Sequence, residues 1–303
     1  MRRPLAAAVA ALVAACSAAP SASAPLNQRV FDKAWLVVGK RYWDRTMGGN
    51  DWPALRERFR PKAMAARDSD QLYDVINKML DQLDDSHVYA TRPDDLHRVR
   101  EPEPGEDRFS DSRRAVTLDG DILLLAFNQF DPGDEHWIAD EMAAKPRLGG
   151  LILDLRRNGG GRDDILDKVA GLFTDRRELL IRLNGRSTID EQTRPSRRGA
   201  YTGPMAVIVG PNTASAAEIL AAFLAESGRA DSVGERTAGA VTGGVDYKLP
   251  DGGRLTVAEY DIRTANGTRL EGNGFTPDHP VSAATHPNDA ALAMALALVR
   301  ARQ

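Results

Sequence analysis

The feature that most constrains the fold is a pair of short, almost uninterrupted apolar runs, at 150–155 and 205–209. Neither run alternates with polar residues, so each predicts a β-strand that is buried on both faces. A segment with helical periodicity follows each run, at 163–173 and 216–226. Buried strands that alternate with helices indicate an α/β core in which the strands pair largely in parallel.

The remaining apolar segments extend this core at both ends. They predict a strand at 122–127, helices at 135–144 and 289–300, and strands at 245–249 and 254–262. The last two strands flank Pro250-Asp251-Gly252-Gly253, a strong turn sequence, and so predict a β-hairpin extension.

Residues 26–91 read as a small helical N-terminal region. Asp51 and Pro53 make a cap and first turn for one helix, and Asp68 or Ser69 caps the next. Helical spacing of apolar residues on both sides of these caps indicates helices that bury one face.

A polar segment at 92–112 separates that region from the core domain at 113–303. It carries three prolines and many charges, so it predicts a linker or surface loop.

The whole chain has 303 residues and a formal net charge of −3. It has no basic stripe, which argues against a nucleic-acid partner.

The first residues predict an export signal at 1–15. Arg2 and Arg3 precede an apolar run that is too short to span a bilayer stably. The run ends in Val13-Ala14-Ala15-Cys16, which resembles a bacterial lipobox and predicts cleavage before Cys16 and lipidation of its thiol. Ordinary cleavage near Ser23 and Ala24 is the alternative.

Cys16 is the only cysteine, so an internal disulfide is excluded. In the lipoprotein interpretation, residues 16–25, rich in Ala, Ser and Pro, form a flexible tether. The expected location is the periplasmic face of the outer membrane, or otherwise the periplasm or the medium. The expected partner is the membrane, through the lipid.

The first of three segments that could carry chemistry is Asp84-Asp85-Ser86-His87, after the second N-terminal helix. A histidine titrates near neutral pH, so His87 could act as a general base. A histidine at such a position can equally be structural or simply exposed.

The second segment is a glycine-rich turn from strand to helix at 154–161. Backbone N–H groups can converge there and face an oxyanion, and the next helix start adds partial positive charge. A flexible loop is the alternative interpretation. The turn lacks the Gly-Lys-Ser/Thr ending and the G-x-G-x-x-G spacing of nucleotide-binding loops.

The third segment places Ser215 between a buried strand and a helix, within 212–218. A serine there can be an ordinary helix N-cap or an exposed nucleophile with its neighbouring amides aimed at an oxyanion. The residue alone does not separate these two roles.

Taken together, the segments resemble the tail-specific (C-terminal processing) serine peptidases and the tricorn core protease. The matching stretches, in the order of that family, are 83–87, 150–161, 213–220, 228–239 and 270–278. The resemblance implies a crotonase-like (ClpP-like) α/β superhelical core. It implies a peptidase that acts on a peptide or protein substrate and needs no cofactor. The scattered histidines give no sign of a metal site.

The family has two catalytic arrangements, and this sequence matches the tricorn-like one. The lysine of the serine–lysine dyad is absent: its position holds Ala240, and the next lysine is Lys248. The residues that match the other arrangement are Ser215, His87, Ser86 and Glu271.

That arrangement implies a role for each residue. His87 takes the proton of Ser215, and Ser86, polarised by Glu271, fixes the tautomer of the imidazole. The N–H groups of Ala216 and of Gly159 or Gly160 hold the oxyanion.

Arg156 and Arg157, beside the glycines, could receive the carboxylate of a substrate C-terminus, although two solvent-facing arginines are an equal interpretation.

Many relatives insert a PDZ domain before the core, but the segment at 91–112 is too short for one. The alternatives to a peptidase are a non-catalytic binding module for apolar ligands or peptides, as in the interphotoreceptor retinoid-binding protein, and an inert scaffold.

Overall fold

A computed structural model of the protein describes residues 24–85, 87–96, 113–241, 243–282 and 289–303. Its helices are α1 Ala24–Arg41, α2 Trp52–Met64, α3 Ser69–Leu80, α4 Pro93–Leu96, α5 Asp134–Ala143, α6 Asp163–Ala170, α7 Ala216–Glu226 and α8 Ala290–Ala301. Its strands are β1 Tyr89–Thr91, β2 Arg113–Leu118, β3 Ile122–Phe127, β4 Gly150–Asp154, β5 Leu179–Gly185, β6 Thr188–Gln192, β7 Met205–Val209, β8 Asp231–Gly234, β9 Gly243–Lys248, β10 Arg254–Thr264 and β11 His279–Pro280. Cys16 and Ser86 lie outside the described residues.

The core is a six-stranded sheet in the order β11-β8-β7-β4-β3-β2. All its neighbours pair in parallel except β2 and β3, which are antiparallel. The two apolar runs form β4 and β7 at its centre, and every residue of β7 is buried. The predicted α/β core with largely parallel pairing is therefore confirmed.

Helices cover both faces of this sheet, which explains the unbroken apolar character of its central strands. Leu151 and Leu153 of β4 face a core that α5, α6 and α7 complete. Ile152 faces the other side, where α8 contributes Val299. At the carboxyl edge of the sheet, the turns after β4 and β7 lie side by side, because parallel strands end at the same edge.

A second, antiparallel sheet is built around β10. The strand β9 pairs with one side of β10, and β1 and β5 pair with the other. The predicted hairpin around 250–253 is β9–β10. The hairpin β5–β6, which extends the same sheet, was not predicted from the sequence.

The N-terminal helices begin at the predicted caps. The Asp51 carboxylate accepts a hydrogen bond from the backbone N–H of Ala54 at 3.0 Å, and the Asp68 carboxylate accepts one from Gln71 at 2.8 Å. Their buried faces share one core with β10, which contributes Leu255. The helical region and the core domain are thus packed together.

The first residues of the predicted linker form the short helix α4. Within the ranges that the structure describes, no helix is long and apolar enough to cross a membrane.

Candidate active site

Ser215 has an unusual backbone conformation. It stands between β7 and α7 with φ 54° and ψ −124°, whereas an ordinary helix N-cap has φ and ψ in the β region. A non-glycine residue held at positive φ costs free energy, and such outliers cluster at functional sites. A strained turn from strand to helix presents the nucleophile in some serine hydrolases. The backbone therefore favours the nucleophile interpretation of Ser215 over the plain cap.

Glu218 fixes this turn, and sequence analysis gave it no role. Its buried carboxylate accepts hydrogen bonds from the backbone N–H groups of Ser215 at 3.0 Å, Gly239 at 2.8 Å and Ala240 at 2.9 Å. The hydroxyl of Thr237 donates a fourth. A helix N-terminus carries partial positive charge, which suits a carboxylate in the first turn of α7.

Glu271 is held next to the segment that Glu218 binds. One of its carboxylate oxygens, Oε2, accepts a hydrogen bond from the Val241 N–H at 2.8 Å, and the Gly272 N–H donates to the Gly239 carbonyl at 2.8 Å. The other oxygen, Oε1, lies 3.1 Å from Nδ1 of His87. The carboxylate and the imidazole therefore meet directly.

The surroundings of His87 favour its charged form. The hydrogen bond with Glu271 raises the pKa of His87, and the nearby charges of Glu271 and Asp85 add to this, although partial burial opposes it. When Nδ1–H donates to Glu271, the neutral ring has its acceptor at Nε2. This is the tautomer that a general base requires.

The glycine-rich turn packs against the serine. At Gly160, φ is +100° and an added Cβ would lie 2.6 Å from the Cβ of Ser215, so only glycine fits. The Ala214 N–H donates to the carbonyl of Asn158 at 3.0 Å. The turns after β4 and β7 are thereby joined beside Ser215.

The predicted oxyanion donors differ in their contacts. The Gly159 N–H donates to the Asn128 carbonyl at 3.0 Å, and the Gly160 N–H donates to the side-chain oxygen of Asn158 at 2.9 Å. Ala216 is the first residue of α7, where a backbone N–H has no acceptor within the helix. Two of the three donors are therefore engaged within the protein in this conformation.

The two predicted arginines have different surroundings. Arg156 forms ion pairs with Asp154 at 2.6 Å and with Asp289 at 2.8 Å, and these carboxylates raise the pKa of its guanidinium. Arg157 is exposed and, with Arg114, lines a cavity of about 510 Å³ at the carboxyl edge of the sheet. Both arginines line this cavity, but Arg156 also links the end of β4 to the start of α8 through its two ion pairs.

Within the described ranges, no group of three histidine, cysteine, aspartate or glutamate side chains could hold a metal ion.

The α/β core, with a serine at the strained start of a helix, is the architecture of a class of serine hydrolases. The sequence pattern of peptidase family S41 matches residues 121–281, more than half of the chain, and that of the tricorn protease C1 domain matches 27–81. The chain belongs to peptidase family S41 and is a serine-type peptidase.

Curated relatives agree with this family. The chain is 25% identical to the chloroplastic C-terminal processing peptidase of Tetradesmus obliquus, over 90% of this chain and 81% of that protein. It is 30% identical to the carboxy-terminal processing protease CtpA of Bacillus subtilis, over 60% of this chain but only 39% of that longer protein.

Solved structures agree with the fold. The photosystem II D1 C-terminal processing protease superposes with a TM-score of 0.68 at 20% identity, covering 84% of this chain and 92% of that one. The tricorn protease superposes with a TM-score of 0.65 at 16% identity, covering 93% of this chain and 37% of that one. The crotonase-like core predicted from the resemblance is thus confirmed.

Proposed function

We propose that the protein cleaves peptide bonds through an acyl-enzyme formed on Ser215. His87 takes the proton of the hydroxyl as Oγ attacks the carbonyl carbon, and then gives that proton to the leaving amine. A water molecule, deprotonated by the same imidazole, then hydrolyses the ester. The observation that carries this proposal is the strained conformation of Ser215 on a turn fixed from both sides.

Glu271 is proposed to orient the imidazole and to stabilise the imidazolium that forms during attack. Its 3.1 Å contact with Nδ1 supports a direct role. In the scheme predicted from the resemblance, Ser86 stands between the two groups. Ser86, which lies outside the described residues, is still proposed to be polarised by Glu271 and to help fix the tautomer of the imidazole.

The oxyanion is proposed to bind the Ala216 N–H together with the N–H of Gly159 or Gly160. Either glycine would have to give up its present hydrogen bond, to Asn128 or to Asn158. Developing negative charge is a better acceptor than a neutral carbonyl or amide oxygen, so the exchange is favourable in the transition state.

The test is labelling of residues 17–303 with a fluorophosphonate probe, followed by mass spectrometry of the adduct. We expect one adduct, on Ser215, that is absent in Ser215→Ala and in His87→Ala. Folded protein that gives no adduct would contradict the proposal and would favour a binding module on the same fold.

The substrate is proposed to end in a free carboxylate near the scissile bond. The exposed guanidinium of Arg157, with Arg114 in the same cavity, can bind such a group, while Arg156 is paired with two carboxylates. We expect Arg157→Gln to raise KM for peptides with a free C-terminus and to leave KM for amidated peptides unchanged. An equal change for both peptides would argue against carboxylate recognition.

We also propose that the protein is exported and anchored through lipid on Cys16. The support is the basic start, the short apolar run and the lipobox-like residues before Cys16. Metabolic labelling with a fatty-acid analogue should mark the wild type but not Cys16→Ser. Label in both would place the lipid elsewhere.

A further inference from the structure

A second carboxylate lies beside His87 and has no role in the mechanism above. The side chain of Asp85 is only 7% exposed, and its Oδ1 is 4.0 Å from Nδ1 of the imidazole. The same oxygen accepts a hydrogen bond from the backbone N–H of His87 at 3.0 Å. Asp85 therefore contacts the backbone of the proposed base and lies close to its ring.

The other oxygen of Asp85 is held by two aromatic side chains. The Tyr42 hydroxyl donates to Oδ2 at 3.1 Å, and the indole N–H of Trp43 donates at 3.3 Å. Trp43 is itself fixed, since its backbone N–H donates to the Ala258 carbonyl of β10 at 3.1 Å. The carboxylate is thus tied both to the end of α1 and, through Trp43, to the second sheet.

Burying a carboxylate is costly unless its charge is compensated. Among the residues that the structure describes, the basic group within 4.0 Å of Asp85 is the imidazole of His87. The three donors that hold Asp85 are neutral, so they fix its position without cancelling its charge. The negative charge of Asp85 can therefore stabilise a protonated His87.

We propose that Asp85 is a positioning residue for His87. It holds the backbone of the base through the His87 N–H, while Glu271 holds the ring through Nδ1. Its negative charge also favours the imidazolium that forms when Ser215 loses its proton. This inference rests on the proposed role of His87 as general base.

Other charged groups lie near His87, so a test has to distinguish their effects from that of Asp85. Glu271 contacts the ring, and Asp81, Asp84 and Arg269 line a cavity together with Glu271 and Asp85. Asp84 offers a matched control, because it is adjacent in sequence, carries the same charge and is exposed. It has φ 52°, a conformation that asparagine also tolerates.

The experiment compares Asp85→Asn with Asp84→Asn. The amide oxygen of the substituted side chain can still accept from the His87 N–H, so Asp85→Asn removes the charge and keeps the shape. Its NH2 group replaces Oδ2, so the hydrogen bond from the Trp43 indole is lost as well. In Asp85→Asn we expect the acidic limb of the pH profile of kcat/KM to move to lower pH. We also expect kcat to fall about tenfold, which is part of what a general base contributes, and KM to stay unchanged. We expect Asp84→Asn to keep the wild-type profile.

Asp85→Glu separates charge from geometry. It should keep the wild-type acid limb and still lower kcat, because the longer side chain cannot hold the His87 N–H in the same place. An unshifted limb in Asp85→Asn, or an equal shift in Asp84→Asn, would overturn the inference.

Titration of His87 by NMR provides a readout that needs no turnover. The pKa of His87 should fall in Asp85→Asn and stay unchanged in Asp84→Asn. If the pKa responds in this way but Ser215→Ala retains activity, the contact is real and the proposed function is wrong. If Ser215→Ala is inactive but the pKa does not respond, the inference about Asp85 alone fails.

Discussion

At the scale of the residue, the backbone of Ser215 has to satisfy two requirements at once. Its hydroxyl has to stand at the start of α7, and its N–H has to reach Glu218, which requires the backbone to adopt φ 54° and ψ −124°. The interactions of the surrounding turn maintain this conformation against its cost.

Replacing Ser215 by glycine should release that strain. Relief of an unfavourable φ/ψ pair is worth about 1–3 kcal/mol, and the greater freedom of glycine in the unfolded chain offsets up to about 1 kcal/mol. We expect Ser215→Gly to exceed Ser215→Ala in free energy of unfolding by about 1 kcal/mol. Urea denaturation of the two variants, both of which lack the hydroxyl, measures the backbone alone. A midpoint for Ser215→Gly that is lower than that of Ser215→Ala would mean that the turn is not strained, because only the entropic cost of glycine would then remain.

The sequence predicted site residues that lie in motifs of a known family. It did not predict a residue whose hydrogen-bond partners are distant in sequence. Ser215, His87 and Glu271 were predicted as site residues through resemblance to a family, and the structure places His87 beside Glu271. Glu218 was missed, although its position three residues after Ser215 is a capping-box signal. Its other donors come from 237–240, and a single sequence does not show that this segment returns to α7.

At the scale of the element, α8 packs closely on the first residue of β4. A Cβ added at Gly150 would overlap Cγ1 of Val299, which is fully buried. The sheet and the helix therefore approach each other at a distance that only glycine permits.

We expect Gly150→Ala to destabilise the protein by about 1–3 kcal/mol, because it overpacks this contact. Val299→Ala alone should cost about 2 kcal/mol through the cavity it leaves. In the double variant the new methyl group occupies part of that space, so the combined loss should fall short of the sum by about 1 kcal/mol. Urea denaturation of all four proteins tests this, and strictly additive losses would rule out the contact.

The helices and strands that the sequence predicted are those with a clear local pattern of residues. β4 and β7 are short apolar runs, and α2 and α3 have acidic caps. The hairpin β5–β6 was missed because β6 is mostly polar and exposed, and the pair of Arg182 and Asp190 joins its strands on the surface. The Asn184-Gly185 sequence near its turn was a usable hairpin signal. By contrast, β8 has only four residues, and it is a strand because β7 and β11 flank it.

At the scale of the whole molecule, the contact between His87 and Glu271 links the N-terminal region to the last third of the chain. The pKa of His87 is raised in the folded state above its unfolded value of about 6.5. The stabilisation is therefore complete below about pH 6.5 and is lost as the pH rises through the folded pKa. The general-base activity proposed for His87 should follow the opposite course, because it requires the neutral ring.

We expect the urea midpoint to decline as the pH rises through that window, while kcat/KM increases over the same range. Glu271→Gln removes the largest cause of the raised pKa, so its midpoint should vary less with pH and its acid limb should lie lower. A variant that keeps the wild-type dependence of stability on pH would show that another group is responsible.

The order of the site residues along the chain also determines when a newly made molecule can act. His87 is synthesised first, but the strand that completes the core around its region is β10, and its carboxylate partner is Glu271. A nascent chain that ends at residue 220 contains the proposed nucleophile and base but lacks β10 and Glu271, which hold them in place. The proposed site can therefore be completed only after residue 271 has been synthesised.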